Sequence, residues 1–265
     1  MISHALKTQN SFALSRFGSV EIQYYLWITN PLTSRFLFQR VKKSSHRNAG
    51  IFPWSDECHA DFVNEINNSL PNIDILGSWR LEERFLFQKL RHMTKIKLHN
   101  LLPYFGDNWL LELNKKKVLV IHPFKETIFH QYENRNSLFT QKAFIPNFLK
   151  LEVLVPPQTH AYHTDGYNTW TDALSDLKKK VSAVHDFDVA IIGCGSYGMP
   201  IAAHIKTLGK TALHLGGATQ LIFGIHGRRW DADNRLDHLK TSNWIRPFKS
   251  DIITNSKLVE DGCYW

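Results

Sequence analysis

A glycine-rich loop in the second half of the chain has the spacing of a phosphate-binding turn. Gly193, Gly195 and Gly198 match the pattern Gly-x-Gly-x-x-Gly, directly after an apolar run and directly before a predicted helix from Met199 to Leu208. At such a turn the backbone can approach a phosphate closely, and the helix N-terminus adds partial positive charge. The loop therefore predicts a nucleotide or phosphate site. Its candidate contacts are Gly193, Gly195, Ser196, Tyr197 and Gly198.

A second glycine pair follows the next predicted strand. Gly216 and Gly217 open another loop of close backbone approach, and a short helix begins after them. Further along, two adjacent arginines can fork onto diphosphate oxygens, and a tryptophan can stack on a base or a sugar. We therefore expect both loops to face one ligand. The candidate contacts in this second stretch are Gly216, Gly217, Thr219, Gln220, Arg228, Arg229 and Trp230.

The glycine pattern also allows a nicotinamide-dependent oxidoreductase. A dinucleotide site needs an Asp or Glu about 20 residues after the loop, where it holds the ribose hydroxyls. No acid stands at the end of the strand Thr211–Leu215. This absence weakens the oxidoreductase hypothesis, which stays as an alternative beside a non-catalytic nucleotide-binding protein.

The N-terminal segment offers a third cluster of candidate residues. Arg16 and Gly18 lie in a turn between a predicted strand and a predicted helix, and Ser19 is a suitable N-cap for that helix. Glu21 lies in the first helical turn, where a negative charge is favoured by the helix dipole. A purely structural role would account for Ser19 and Glu21, but both would also reach a ligand at the end of the strand.

Other titratable residues have weaker signals. His122 ends a predicted strand and Glu126 follows at the next helix start, so either can act as general base for an acceptor hydroxyl. His160, His163 and Asp165 have a spacing typical of metal ligands, but they fall in a predicted loop and we expect them on the surface.

Alternating short apolar runs and amphipathic stretches predict the elements that position these residues. The predicted strands are Phe12–Phe17, Ile73–Gly77, Lys95–Leu98, Val118–His122, Leu151–Leu154, Val189–Gly193 and Thr211–Leu215. Amphipathic stretches at Lys125–Leu138 and Trp170–Val184 predict helices. Strand–helix alternation indicates an α/β, Rossmann-like fold with a mainly parallel sheet and helices on both faces. We expect one domain over residues 1–265, with 155–168 as an alternative seam between an N-terminal part (1–155) and a C-terminal nucleotide-binding part (168–265).

Composition limits the class of protein. The chain has 265 residues, 43% of them hydrophobic, and a formal net charge of +8 with a pI near 9.3. This charge favours anionic partners, but no nucleic-acid-binding module is recognisable, so we expect no nucleic acid as a partner.

The cysteines and the lack of a membrane or export signal bear on the location of the protein. No paired motif is formed by Cys58, Cys194 and Cys263, and no long apolar run or signal sequence is evident. Both observations favour a cytoplasmic location. The basic segment from Arg35 to Arg47 predicts either a solvated surface segment or a loop that meets phosphates.

The arginine–aromatic–glycine turn with its acidic helix start resembles the N-terminal signature of the GT-D-type glycosyltransferases. The unit from Asp188 to Trp230 adds to this resemblance, which covers essentially the whole chain. Further matching segments are 48–53, 73–79, 120–124 and 260–265. The resemblance is to mostly uncharacterised bacterial members associated with surface-polysaccharide synthesis.

This resemblance implies transfer of a sugar from a nucleotide-sugar donor to a growing polysaccharide, a glycan or a lipid-linked glycan. It also implies peripheral contact with the inner membrane face. In the family an Asp-x-Glu pair binds magnesium or manganese on the diphosphate, whereas this chain has Ser19-Val20-Glu21. Only Glu21 carries over, so metal binding there stays open, with basic residues as the alternative means of neutralising the diphosphate.

Overall fold

In this computed structural model the described part of the chain forms seven strands, which make one parallel sheet in the order β3-β2-β1-β7-β6-β4-β5. The structure describes residues 1–140 and 145–265, without the side chains of Thr33 and Ser34. The strands are β1 (Ala13–Ser15), β2 (Ile75–Ser78), β3 (Thr94–Lys97), β4 (Lys117–Ile121), β5 (Lys150–Leu154), β6 (Val189–Ile192) and β7 (Thr211–His214). All seven predicted strands are present, each within about two residues of its predicted ends.

Helices cover both faces of the sheet. They are α1 (Ile2–Thr8), α2 (Ser19–Thr29), α3 (Pro31–Ala49), α4 (Asp56–Ser69), α5 (Phe87–Leu90), α6 (Lys125–Glu133), α7 (Trp170–Ala183), α8 (Gly198–Thr207), α9 (Thr219–Ile222) and α10 (Arg228–Asp231). The predicted α/β, Rossmann-like class is therefore confirmed.

Two hydrophobic cores lie on opposite faces of the sheet. Alternate residues of β6 show this division: Ala190 and Ile192 belong to the first core, and Val189 and Ile191 belong to the second. The first core also contains apolar residues of α2, α4, α7 and α8, whereas the second contains those of α1, α6 and α9. A strand with both faces covered must be apolar throughout, which explains the uninterrupted run in β6.

The basic segment from Arg35 to Arg47 is a helix, so the alternative of a loop that meets phosphates was wrong. The side chain of Asn30 accepts a hydrogen bond from the Leu32 N–H at the start of α3, and α3 ends at Gly50 with φ 69°. Both are usual helix-boundary signals. Among the described residues, none of the helices combines the length and the apolar character that crossing a membrane requires.

Residues 155–169 connect β5 to α7 without regular secondary structure. The strands before and after this connection lie in the same sheet, because β4 pairs with both β5 and β6. The connection therefore runs over the carboxyl ends of the strands, and Pro157, Thr159 and His160 contribute to the site described next.

Candidate active site

A cavity of about 750 Å³ opens at the carboxyl ends of the four central strands. The segments that follow β1, β4, β6 and β7 line it with Arg16, His122, Gly193 and Gly216 respectively. Its volume falls in the range of small-molecule sites, about 300–1,000 Å³. Gly193 and Gly216 lie at the carboxyl ends of neighbouring strands, since β6 pairs with β7.

The cavity lies at a topological switch point of the sheet. β1 and β7 are paired neighbours, but the chain leaves them toward opposite faces. After β1 it enters α2, whose Ile22 belongs to the first core, and after β7 it enters α9, whose Leu221 belongs to the second. The two connections diverge and leave a crevice above the strand ends, which is where ligands of open parallel sheets bind.

Gly193 has no room for a side chain. A Cβ at this position would lie 2.7 Å from Cδ2 of His122, 2.8 Å from the Gly216 carbonyl oxygen and 2.8 Å from Oγ1 of Thr219. Gly195 adopts φ 58°, a left-handed conformation that favours glycine. The strand-to-helix turn predicted from the spacing therefore forms, and its backbone borders the cavity.

The other residues of this loop have structural partners. A Cβ on Gly198 would collide with the ring of His214, so this glycine allows α8 to pack closely on β7. Oγ of Ser196 donates to the Ala49 carbonyl (2.6 Å) and accepts from Nε1 of Trp170 (2.8 Å). Ser196 and Gly198 do not line the cavity, whereas Tyr197 does.

Arg16 is a cation without an ion-pair partner among the described contacts. Its guanidinium lies 5.1 Å from the ring centroid of Trp79, and its buried Nε has no hydrogen-bond partner among the described residues. A Cβ on Gly216, which has φ +63°, would lie 2.6 Å from Nη1 of Arg16. Burial lowers the pKa of Arg16, and the charge of Glu21 opposes that shift. A half-buried guanidinium that lies against a glycine loop is suited to an anionic ligand.

Glu21 lies at the same turn. Its carboxylate lies so close to the Gly18 backbone that a Cβ on Gly18 would collide with it. Burial raises the pKa of Glu21, and the nearby Arg16 cation partly offsets the rise. The N-cap of α2 is Gly18, without a side-chain cap, so the prediction of Ser19 as N-cap was wrong by one residue. Ser19 is the first helical residue and, like Gly18 and Glu21, lines the cavity.

Arg229 is another cation of the cavity, which Lys97 and Arg235 also line. Its Nη1 donates to the Tyr264 hydroxyl (3.0 Å), and its Nη2 pairs with the Glu260 carboxylate. Gly217 borders the same ring, because a Cβ there would collide with Tyr264. Arg228 does not line the cavity, and its Nη1 donates to the Asp261 carbonyl at 3.3 Å. Of the predicted arginine pair, only Arg229 reaches the site.

Two tryptophans carry unused hydrogen-bond donors. Trp230 and Trp265 line the cavity, and the buried Nε1 of each has no partner among the described residues. The Trp265 ring stacks on His160 with centroids 6.0 Å apart, and burial lowers the pKa of His160 to about 4. His160 is half-buried and lines the cavity, so the expectation of a surface position was wrong for it, whereas Asp165 is exposed as expected.

Sequence reasoning assigned no role to the residues from Glu260 to Trp265. The only signal was their place in the family resemblance, because irregular turns give no periodic pattern. In the structure Tyr264 and Trp265 form part of the cavity wall.

His122 lies at the end of β4 as predicted and is buried. Its Nδ1 accepts a hydrogen bond from the Phe124 N–H at 3.2 Å, so the proton of the neutral ring resides on Nε2. Burial lowers the pKa of His122 to about 3, which keeps the ring neutral near neutral pH. The ring therefore offers the cavity a hydrogen-bond donor.

Three other predicted site residues have different environments. Glu126 is exposed at the start of α6 and does not line the cavity. Thr219 donates from Oγ1 to the Ile192 carbonyl (3.0 Å) beneath the glycine loop, outside the cavity lining. Gln220 does line the cavity, and its Nε2 donates to the Tyr264 carbonyl at 3.2 Å.

Two of the three described carboxylates that line the cavity are already paired with arginines. Asp233 accepts two hydrogen bonds from Arg235, at 2.8 and 2.7 Å, and Glu260 is paired with Arg229. Glu21 is the remaining candidate, and among the described residues no group of three or more His, Cys, Asp or Glu side chains could hold a metal ion. Magnesium is usually held by one or two carboxylates together with substrate phosphates, so Glu21 would hold a metal ion only jointly with the oxygens of a bound diphosphate.

Comparisons with known proteins give two solved structures of similar architecture. No protein-family profile matches the sequence, and no curated protein matches it. The chain is similar to a selenomethionine-substituted domain of unknown function 1792, with 14% identity and a TM-score of 0.46 over 83% of this chain and 78% of the other. It is also similar to a structure described as a new glycosyltransferase of the same domain type from Streptococcus sanguinis. The identity there is 12% and the TM-score 0.44, over 83% of this chain and 81% of the other.

Proposed function

We propose that this chain is a glycosyltransferase that moves a sugar from a nucleotide-sugar donor to a growing cell-surface polysaccharide or glycan. The observation that carries the proposal is the convergence of two glycine loops and the guanidiniums of Arg16 and Arg229 on one cavity at the switch point of the sheet. The acceptor class, a glycan or a lipid-linked glycan, rests on the sequence resemblance. A cytoplasmic location with peripheral contact at the inner membrane face belongs to the same proposal.

The donor diphosphate would bind between the two loops. The backbone at Gly193, Gly195 and Gly216 can approach phosphate oxygens because no side chain intervenes. Arg16 and Arg229 would neutralise the charge that develops on the leaving diphosphate as the sugar is transferred. Donors fixed in advance around a developing charge stabilise a transition state without reorganising during the reaction.

The aromatic residues of the cavity suit the nucleoside. Trp230 and Trp265 line the cavity, where an indole ring can stack on a base or a sugar. Tyr264 fixes the position of Arg229 in two ways. Its hydroxyl accepts a hydrogen bond from Arg229, and the Arg229 guanidinium lies over the Tyr264 ring, 4.6 Å from the ring centroid.

Glu21 is the candidate general base. In the transfer step an acceptor hydroxyl oxygen bonds to the anomeric carbon, the bond from that carbon to the diphosphate breaks, and the hydroxyl proton passes to Glu21. A carboxylate whose pKa is raised by burial is a better proton acceptor than a solvated one. His122 would donate from Nε2 to a sugar or phosphate oxygen and orient the donor.

A ligand panel tests the proposal. The melting temperature is measured with uridine diphosphate, other nucleoside diphosphates, nucleotide sugars, NAD and NADP. A ligand that binds only the native state stabilises it by about 2.7 kcal/mol at 100 times its Kd. We expect a nucleoside diphosphate to raise the melting temperature more than either dinucleotide does. The best nucleotide sugar is then tested for release of its nucleotide in the presence of glycan acceptors.

The same panel tests the oxidoreductase alternative. β7 ends at His214, and the chain continues into Leu215 and Gly216 without an acid for a ribose. Stabilisation by NAD or NADP, with no response to nucleoside diphosphates, would contradict the proposed function and favour hydride transfer.

A further inference from the structure

The outward face of α3 combines exposed apolar side chains with positive charge. Leu32 and Phe36 are 80% and 85% exposed, although they are one helical turn apart on the longest helix that the structure describes. Large apolar side chains with this exposure are unusual as a pair, because their contact with water is unfavourable. Their position near the N-terminal end of α3 therefore requires an explanation.

The same face carries basic residues and no acid. At 100° per residue, positions 32, 36, 39 and 43 fall on one side of the helix, with positions 35 and 40 flanking them. Arg35, Arg40 and Lys43 are exposed there, and no Asp or Glu occurs anywhere in Pro31–Ala49. The opposite side of α3 holds the buried Val41, which belongs to the first core.

We propose that the outward face of α3 binds an anionic membrane surface, with Leu32 and Phe36 inserted between the lipid headgroups. A helix with apolar side chains at one end and only basic charges beside them has the pattern of an interfacial helix. Electrostatic attraction holds the basic residues at the headgroups, and burial of the two apolar side chains adds affinity. This inference rests on the membrane contact included in the proposed function and names the surface that makes it, and vesicle binding tests it separately from sugar transfer.

Charge complementarity favours a lipid surface over a second copy of the chain. The chain has a net charge of +8, so two copies repel each other, whereas a bilayer rich in anionic lipid attracts each copy. The opposite end of α3 contributes Asn48 and Ala49 to the cavity, so the membrane-facing helix and the candidate active site are physically continuous.

The first test is co-sedimentation with vesicles of equal parts phosphatidylglycerol and phosphatidylcholine, compared with phosphatidylcholine alone. We expect binding to the anionic vesicles only, with affinity falling as salt is added, because the attraction is screened. Arg40→Glu/Lys43→Glu should weaken partitioning by about tenfold or more, since each surface charge contributes about fivefold. Leu32→Ala/Phe36→Ala should also weaken partitioning by about tenfold or more, since the burial of two large apolar side chains among the headgroups is lost.

Matched controls separate a specific face from net charge. Lys116→Glu/Lys179→Glu changes the net charge equally at two exposed sites away from α3, and Leu149→Ala removes an apolar side chain that is 66% exposed. These variants should change partitioning by less than about threefold. Melting temperatures and circular dichroism are compared for all variants, so that loss of folding is recognised.

Insertion is measured directly with a fluorescent label. All native cysteines are buried, so Phe36→Cys can be labelled selectively with an environment-sensitive dye. We expect a blue shift with anionic vesicles, and none for a label at Leu149→Cys. The proposal would be overturned if the α3 and control charge variants lost vesicle binding equally, or if the fluorescence of the label at position 36 did not shift. A folded wild-type protein that ignores anionic vesicles, or concentration-dependent dimerisation abolished by Leu32→Ala/Phe36→Ala, would also overturn it.

Discussion

The guanidinium of Arg16 lies against the backbone of Gly216, so that a Cβ at position 216 would lie 2.6 Å from Nη1 of Arg16. Arg16 follows β1 and Gly216 follows the neighbouring strand β7, so the turn after β7 helps to fix the position of the Arg16 cation. The contact leaves Arg16 directed into the cavity rather than toward solvent.

Gly216→Ala should therefore weaken nucleotide binding more than it weakens the fold. The alanine must adopt φ +63° and must also displace Arg16. Gly209→Ala is the matched control, because Gly209 has φ +74° and a Cβ there would meet nothing within 4 Å. Both variants should lose about 1–2 kcal/mol of unfolding free energy from backbone strain. Only Gly216→Ala should raise the Kd for a nucleoside diphosphate, by about tenfold or more, because a charge-assisted hydrogen bond is disturbed. Equal binding by the two variants would remove Arg16 from the ligand site.

The neighbouring arginines of α10 give a second test. Arg229 lines the cavity and Arg228 does not, so Arg229→Gln should raise the Kd for a nucleoside diphosphate by about tenfold or more. Arg228→Gln makes the same change in charge one residue away and should leave the Kd within about twofold. Isothermal titration calorimetry measures both. A comparable loss in the two variants would mean that the effect is one of general charge.

Glu21→Gln tests the general base. The amide keeps the shape of the side chain, so the fold should persist while sugar transfer is abolished and nucleotide binding is retained. Glu57→Gln is the control, because Glu57 occupies the first turn of α4 and is exposed. As a helix-dipole effect alone, either change should cost only about 0.3–1 kcal/mol of stability. Full turnover by Glu21→Gln would reduce Glu21 to a structural residue.

Acid should destabilise the protein through its buried histidines. Burial lowers the pKa values of His122 and His214 to about 3, from an ordinary value of 6.5. The unfolded chain thus binds more protons than the native state between these values, so the free energy of unfolding falls as the pH drops from about 6.5 toward 3. His122→Asn keeps an acceptor for the Phe124 N–H but cannot titrate, and its unfolding free energy should vary less with pH. Denaturant titrations at several pH values measure this, and an unchanged slope would show that His122 titrates normally.

The strands and glycine loops could be predicted because their signals are local. Val189–Ile192 is apolar throughout since both faces of β6 are covered, and Gly193 follows it at a turn with no room for a side chain. The helical state of the basic segment was not predicted, because positions 35–47 also fit a solvated stretch. The helical pattern of apolar residues is weak there, because Val41 is the one fully buried apolar residue between positions 35 and 47.

The C-terminal wall of the cavity could not be predicted in physical terms. Tyr264 owes its place to Gly217 and Gly227, which lie far from it in sequence and leave room for its ring and backbone. No periodicity records such a contact. Similarly, Glu126 has a favourable position in the sequence, but the turn of α6 directs it to solvent, and only the folded structure distinguishes it from His122.

The two hydrogen bonds of Ser196 have a consequence for local unfolding. One bond connects the glycine loop to Trp170 of α7, and the other connects the loop to the Ala49 carbonyl at the end of α3. Both bonds are buried. Because a buried donor left without a partner is costly, these three segments should open together rather than one by one. Native-state hydrogen exchange would then give their slowest amides a common opening free energy, and Ser196→Ala would split that common value.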